Sequence, residues 1–173
     1  MNHPKADEEK RRVFQEHIAN YKKLRRPIIY LDESGFSHSM PRTHGYSVRG
    51  QRCFGRHDWG AKGRTNAIGA LLNHSLLTVS LFNCTINTDV FTIWLIQDLV
   101  PKLPQNSIVV MDNASFHKST LIKEVLHQAG HTLEYLPPYS PDLNPIEHKW
   151  AQAKSIRRKY RCSIDELFER HCA

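Results

Sequence analysis

At 173 residues, 40% of them hydrophobic, the chain is the size of one ordinary domain and can bury a real core. Its formal net charge of +7 and pI near 9.4 point to a polyanionic partner, of which nucleic acid is the commonest. No apolar run approaches the ~18 residues of a membrane span, and the charged start MNHPKADEEKRR lacks the apolar stretch of a secretory signal.

The lead-in, residues 1–26, reads as an amphipathic helix and linker. Val13, Phe14, His17, Ile18, Tyr21 and Leu24 share one stripe, and Pro27 ends it. Ile28–Leu31 is a short β-prone run that stops at Asp32. Residues 35–64, rich in Gly, His and Arg, predict irregular surface loop with a hairpin around Tyr46–Phe54. Thr65–Leu72 and Leu76–Phe82 predict a tight antiparallel hairpin. Thr88–Leu103 carries apolar residues at helical spacing, with Asn87 or Thr88 as cap.

Ser107–Asp112 is another β-branched run ending in a carboxylate. A helix over Lys118–Gln128 stopped by Gly130 and a strand over Thr132–Leu136 follow. PPYSPDLNP is stiff connector, after which Asn144 and Pro145 open a helix to about Tyr160. Ser163 with Glu166 predicts a capping box on a last short helix to His171. Strand, hairpin, helix, strand, helix, strand, helix is an α/β order that mixes antiparallel and parallel pairing. The cysteines, Cys53, Cys84, Cys162 and Cys172, are irregularly spaced without a C-x-x-C pair, and read as reduced, mostly buried thiols.

Asp32, Asp112 and Glu147 each have an ordinary explanation. Asp32 can cap a turn through Ser34 and Gly35, Asp112-Asn113 can form an Asx-turn, and Glu147 can reach back to a cap at Asn144. Brought together, three carboxylates repel one another unless a cation neutralises them. Hard oxygen donors suit Mg²⁺ or Mn²⁺. Two such ions, roughly 3.5–4 Å apart, clamp the attacking and leaving oxygens of displacement at phosphorus.

The segments YLDESGF, VVMDNASFH and LPPYSPDLNPIEHKW, in that order, resemble the DDE transposases of the mariner superfamily, and within it the bacterial insertion-sequence branch. The 34 residues between Asp112 and Glu147 are a spacing that family uses. The resemblance runs from about Pro27 to Tyr160 and implies a ribonuclease-H-like catalytic domain over residues 27–173. It implies ligation of two Mg²⁺ or Mn²⁺ ions by Asp32, Asp112 and Glu147, cleavage of phosphodiesters at transposon ends, and transfer of the freed 3′-hydroxyl into target DNA. It further implies a homodimer on DNA, a separate or missing N-terminal helix-turn-helix domain, and a bacterial cytoplasmic protein that joins the nucleoid when bound to DNA.

Asn113 and His117 follow the second aspartate as supporting candidates: Asn113 to position a ligand or phosphate, His117 to contact DNA, assist proton transfer or cap the next helix. Trp150 reads as core that anchors the helix aiming Glu147. Lys154, Arg157, Arg158 and Arg161 can share a face that meets the DNA backbone, and Arg42, Arg49, Arg52, Arg56, Lys62 and Arg64 form a second basic set. By resemblance, that second region acts in contacts with DNA or with a second subunit. Two alternatives stand beside an active transposase domain: a ribonuclease or resolvase of the same fold, and a DNA-binding or assembly fragment without turnover.

Overall fold

The structure, a computed structural model, describes residues 7–39, 49–50 and 63–172. Asp7 opens α1 (Glu8–Lys23), its carboxylate accepting the N–H groups of Glu9 and Lys10 that a helix start leaves without partners. Only part of the expected stripe is covered. Phe14 and Ile18 are buried, while Val13 and Leu24 stay exposed.

β1 (Ile28–Ser37) runs well beyond its apolar start. Its ladder with β2 (Arg64–Leu72) continues through Asp32↔Gly69 to Ser37↔Arg64, so cross-strand pairing overrides the turn-like composition of DESG. Its ladder with β4 (Ile108–Met111) ends at Tyr30↔Val110. Asp32 therefore stands inside a strand, at the point where β1 and β4 part. β3 (Ser75–Phe82) follows β2 through a two-residue turn in which Asn73 takes the left-handed conformation (φ 56°) that Asn tolerates. The hairpin expected around Tyr46–Phe54 lies outside the described residues, apart from Arg49 and Gly50 in a turn.

Asn87 caps α2 (Thr88–Trp94) by accepting the Val90 N–H at 2.9 Å. The single helix expected to reach Leu103 instead changes pitch, to a π turn at Leu95–Leu99 and a 3₁₀ turn at Val100–Lys102. Pro101 supplies the reason: it has no N–H, and its ring needs the space of the carbonyl four residues back. After β4 come a 3₁₀ turn (Ser115–Lys118), α3 (Thr120–Gln128), β5 (Thr132–Tyr135), a 3₁₀ turn (Pro141–Leu143), α4 (Ile146–Tyr160) and α5 (Ile164–Arg170). The Ser163 hydroxyl accepts the Glu166 N–H at the start of α5, as expected, while the Glu166 carboxylate turns to Arg170.

The sheet order is β3-β2-β1-β4-β5, antiparallel across β1–β2–β3 and parallel across β1, β4 and β5. This is the mixed α/β sheet that the element order predicts. Strand alternation assigns its faces. Ile29, Leu31, Val109 and Met111 meet Phe91, Leu95 and Ile122 beneath α2 and α3. On the opposite face Phe36, Ala67 and Leu71 meet Trp150 and Leu167 from α4 and α5, and Ile28, Ile108 and Val110 meet Phe14 and Ile18 from α1. Asp32 and Glu33 accordingly belong to opposite faces. Cys162 is buried but Cys84 is exposed, against the expectation of mostly buried thiols, and Cys53 lies outside the described residues. Among the described residues, no helix is long and apolar enough to cross a membrane.

α1 is bound to the body by polar contacts as well. The buried Arg11 guanidinium donates to both oxygens of Asp142, at 3.0 and 2.7 Å, and Tyr21 donates its hydroxyl to Glu134 at 2.5 Å. The first pair joins α1 to the connector that leads into α4. Arg11 holds the Asp142 carboxyl below its ordinary value. That contribution is complete above the unfolded value and is lost as pH falls through the lower folded one. Arg11→Ala is expected to cost about 1 kcal/mol at neutral pH, because Asp142 is half exposed. Urea unfolding at neutral pH and near pH 2 checks this: the difference from wild type should shrink in acid, and a difference independent of pH contradicts the assignment.

Candidate active site

Asp32 points from β1 toward α4, where Trp150 donates its indole N–H to Asp32 Oδ2 at 3.0 Å. The indole lies against the strand because β2 offers no side chain there. A Cβ on Gly69, the register partner of Asp32, would sit 2.6 Å from Trp150 Cη2. Phe36 and Phe168 pack edge-on around the same ring. Burial, then the charges of Glu147 and Glu33, and more weakly Asp112, push the Asp32 carboxyl up to about 7. Its mean environment thus favours the proton unless another cation takes that place.

Asp112 follows the last residue of β4. Its Oδ1 accepts the Ala114 N–H at 2.8 Å, which is the Asx-turn read from the sequence, and also meets His117 Nδ1 at 2.7 Å. His117 Nε2 meets Glu33 Oε1 at 2.9 Å. Ionised carboxylates only accept hydrogen bonds, so an imidazolium serves both. Burial lowers the imidazole value, but the bonds to Asp112 and Glu33 outweigh it and push His117 up to about 9. The bond from His117 holds Asp112 below the ordinary carboxylate value. His117 is 1% exposed and packs on Phe91, with ring centroids 4.4 Å apart. It stands behind Asp112 and is closed to contact with DNA. Asn113 donates its amide to Leu136 O at 2.5 Å, tying the ends of β4 and β5 together.

Glu147 is exposed in the first turn of α4. The cap expected before it is absent. Asn144 is buried and donates its amide to Leu31 O on β1, so that its own helix start has no side-chain cap. Asn144 Oδ1 is buried without a hydrogen-bond partner. Asp32, Asp112 and Glu147 line one cleft of about 480 Å³, together with Asn113, Lys118 and Asn144. The donors on this cleft, carboxylate and amide oxygens with no thiolate, fit a hard divalent cation. Among the described residues, no group of three His, Cys, Asp or Glu side chains is arranged to hold a metal ion as it stands. The three acids share a cleft without forming a closed ligand set.

The basic candidates divide. Arg158 and Arg161 are exposed on and after α4, as is Arg49. Lys154 lies with Nζ 5.6 Å from the Phe36 ring. Arg64 is exposed at the start of β2, its guanidinium laid so closely over Gly35 that a Cβ there would fall 1.6 Å from Nε. Arg42, Arg52, Arg56 and Lys62 lie outside the described residues. Arg157 corrects the expected face. It is buried, and its Nη1 donates to Ser37 O at 2.6 Å. Trp150, Ala153 and Arg157 follow helical spacing along the core side of α4, which removes Arg157 from any DNA backbone.

Glu33 and Lys118 are the neighbours that sequence reading passed over; it read Asn144 only as a helix cap, and for Trp150 it foresaw an anchor but no bond to Asp32. A buried Trp needs a partner for its N–H, which was the available signal for that bond. Glu33 carried no such signal, since alternation turns it away from Asp32. In the metal-free chain the raised Asp32 value has a sign. A carboxyl that binds its proton more tightly when folded makes stability fall as pH rises from about 4 to about 7. Asp32→Asn removes this loss, so its thermal midpoint should exceed that of wild type at about pH 8 and match it at about pH 4. Equal midpoints at both values contradict the crowding of charge around Asp32.

Three comparisons bear on this geometry. No curated protein matches the chain. Among solved structures, it is similar to a Mos1 transposase paired-end complex with the left transposon end (TM-score 0.68, 21% identity, 86% of this chain and 47% of that one). It is similar to the Mos1 mariner paired-end complex with Mn (TM-score 0.68, 20% identity, 85% and 47%), and to the catalytic domain of Mos1 mariner transposase (TM-score 0.60, 15% identity, 97% and 88%). At these identities the likeness is one of fold, the ribonuclease-H-like sheet that the sequence resemblance implies. The chain spans about half the length of the first of these proteins. The family model described as DDE superfamily endonuclease matches residues 27–167, and the chain belongs to that family.

Proposed function

We propose that this chain is the catalytic domain of a DNA transposase, in which Asp32, Asp112 and Glu147 hold two Mg²⁺ or Mn²⁺ ions. The observation that carries the reading is the shared cleft: acids from β1, from the end of β4 and from α4 line one opening at the point where β1 and β4 diverge. The similar Mos1 structures include a strand transfer complex and complexes with Mn and with Mg, which supports the reaction and the metals. Ions bound there would polarise the scissile phosphate and activate the attacking oxygen.

The chain's own residues perform the rest. Trp150 orients Asp32 through its indole N–H. Lys118 is exposed on the cleft wall, where it can meet a phosphate. Arg158 and Arg161 offer exposed charge for the DNA backbone. The substrates are transposon ends and target DNA. Pairing of two ends calls for a homodimer on DNA, and recognition of end sequences calls for a helix-turn-helix domain.

The separated carboxylates are compatible with a second reading, a DNA-binding fragment without turnover. Nicking of supercoiled plasmid with Mn²⁺ distinguishes the two. Loss of an outer partner of a metal ligand costs about 10–100-fold, so Asp112→Asn, which alters a proposed ligand itself, should cost at least as much. Nicking by Asp112→Asn at the wild-type rate removes Asp112 from the chemistry. Binding of DNA without nicking by wild type selects the assembly fragment.

A further inference from the structure

Asp112 has an unusual task for a side chain outside the strand ladder. The β4–β5 pairing ends at Met111↔Tyr135, so no sheet hydrogen bond sets the Asp112 backbone, and the side chain is about half exposed. A carboxylate so placed is free to rotate unless something grips it. Its Oδ1 is gripped twice, by the Ala114 N–H and by His117 Nδ1. The imidazole is itself fixed from the far side by Glu33 Oε1 and from its face by Phe91.

We infer that His117 and Glu33 are positioning residues for Asp112, locking Oδ1 so that Oδ2 is the oxygen presented to the cleft. Three features carry this. Both ring nitrogens are engaged, so the imidazole cannot turn without breaking a bond. Glu33 reaches His117 from β1, on the face opposite Asp32, and so ties the Asp112 loop to the strand that carries the first acid. The imidazole is sealed in the interior, 1% exposed, so water does not compete for either of its bonds. The inference rests on the metal-binding reading proposed above and adds to it the group that aims one of the ligands.

Mn²⁺ affinity measured by isothermal titration calorimetry on the whole chain tests this without recourse to catalysis. His117→Ala should weaken Mn²⁺ binding about 10–100-fold, the range for outer partners of metal ligands. Asn carries its amide nitrogen where Nδ1 stands, and Gln carries its own near Nε2. His117→Asn should therefore recover most of the affinity, and His117→Gln should not. A merely structural role would lower the thermal midpoint of both without separating their affinities. Glu33→Ala, which frees the ring but leaves Nδ1 in place, should fall between wild type and His117→Ala. Should His117→Ala fail to fold, the Asn and Gln variants decide, and equal affinities for those two overturn the inference. Asp112→Asn separates the two levels of the argument. If it binds Mn²⁺ as wild type does, the metal reading fails. If it binds weakly while His117→Ala binds normally, the positioning role alone fails.

Discussion

Three carboxylates on one cleft repel one another, and the surrounding structure is arranged around that repulsion. Asp32 feels it most, because it is also taken out of water, and its carboxyl rises to about 7 under burial and the neighbouring negative charges. Nothing in the apolar layers requires an acid at this point of β1. A fold built for stability alone is better served by a residue without charge there, which agrees with the metal-binding role proposed for Asp32. The neighbouring acid is treated differently. Asp112 is held ionised by His117, itself charged between two carboxylates.

Geometry joins these two treatments to the sheet. β1 and β4 run side by side only as far as Tyr30 and Val110, and their separation opens the cleft. Trp150 then reaches across from α4 to Asp32, over the bare backbone of Gly69. Glu147 lies one turn earlier on the same helix. One docking of α4 therefore sets the third acid and orients the first. Asn144, bound to Leu31 O rather than capping its helix, fixes the start of α4 against the strand that bears Asp32.

Much of this was legible beforehand, for reasons that differ by residue. Period-two and period-3.6 patterns identify the strands and helices because each buries one face. The motifs containing Asp32, Asp112 and Glu147 identify the family. The errors fall where a distant partner overrides local composition. Asp32 can cap a turn at Ser34 and Gly35, and loop is expected from residue 35, yet β1 pairs with β2 through Ser37. Asn144 reads as a cap but spends its amide on a strand carbonyl. Arg157 reads as a free cation, although its spacing from Trp150 and Ala153 already placed it on the buried side of α4. Glu33 was invisible because its partner, His117, is brought to it only by the loop after β4.

The account stands on the convergence of oxygens from three separate elements on shared cations. Anomalous diffraction from a crystal soaked in Mn²⁺ at mildly alkaline pH tests it most directly. The account predicts manganese in the cleft, with oxygens of Asp32, Asp112 and Glu147 drawn to coordination distances of about 2.0–2.3 Å. An empty cleft, or manganese held elsewhere with these three side chains still apart, contradicts it.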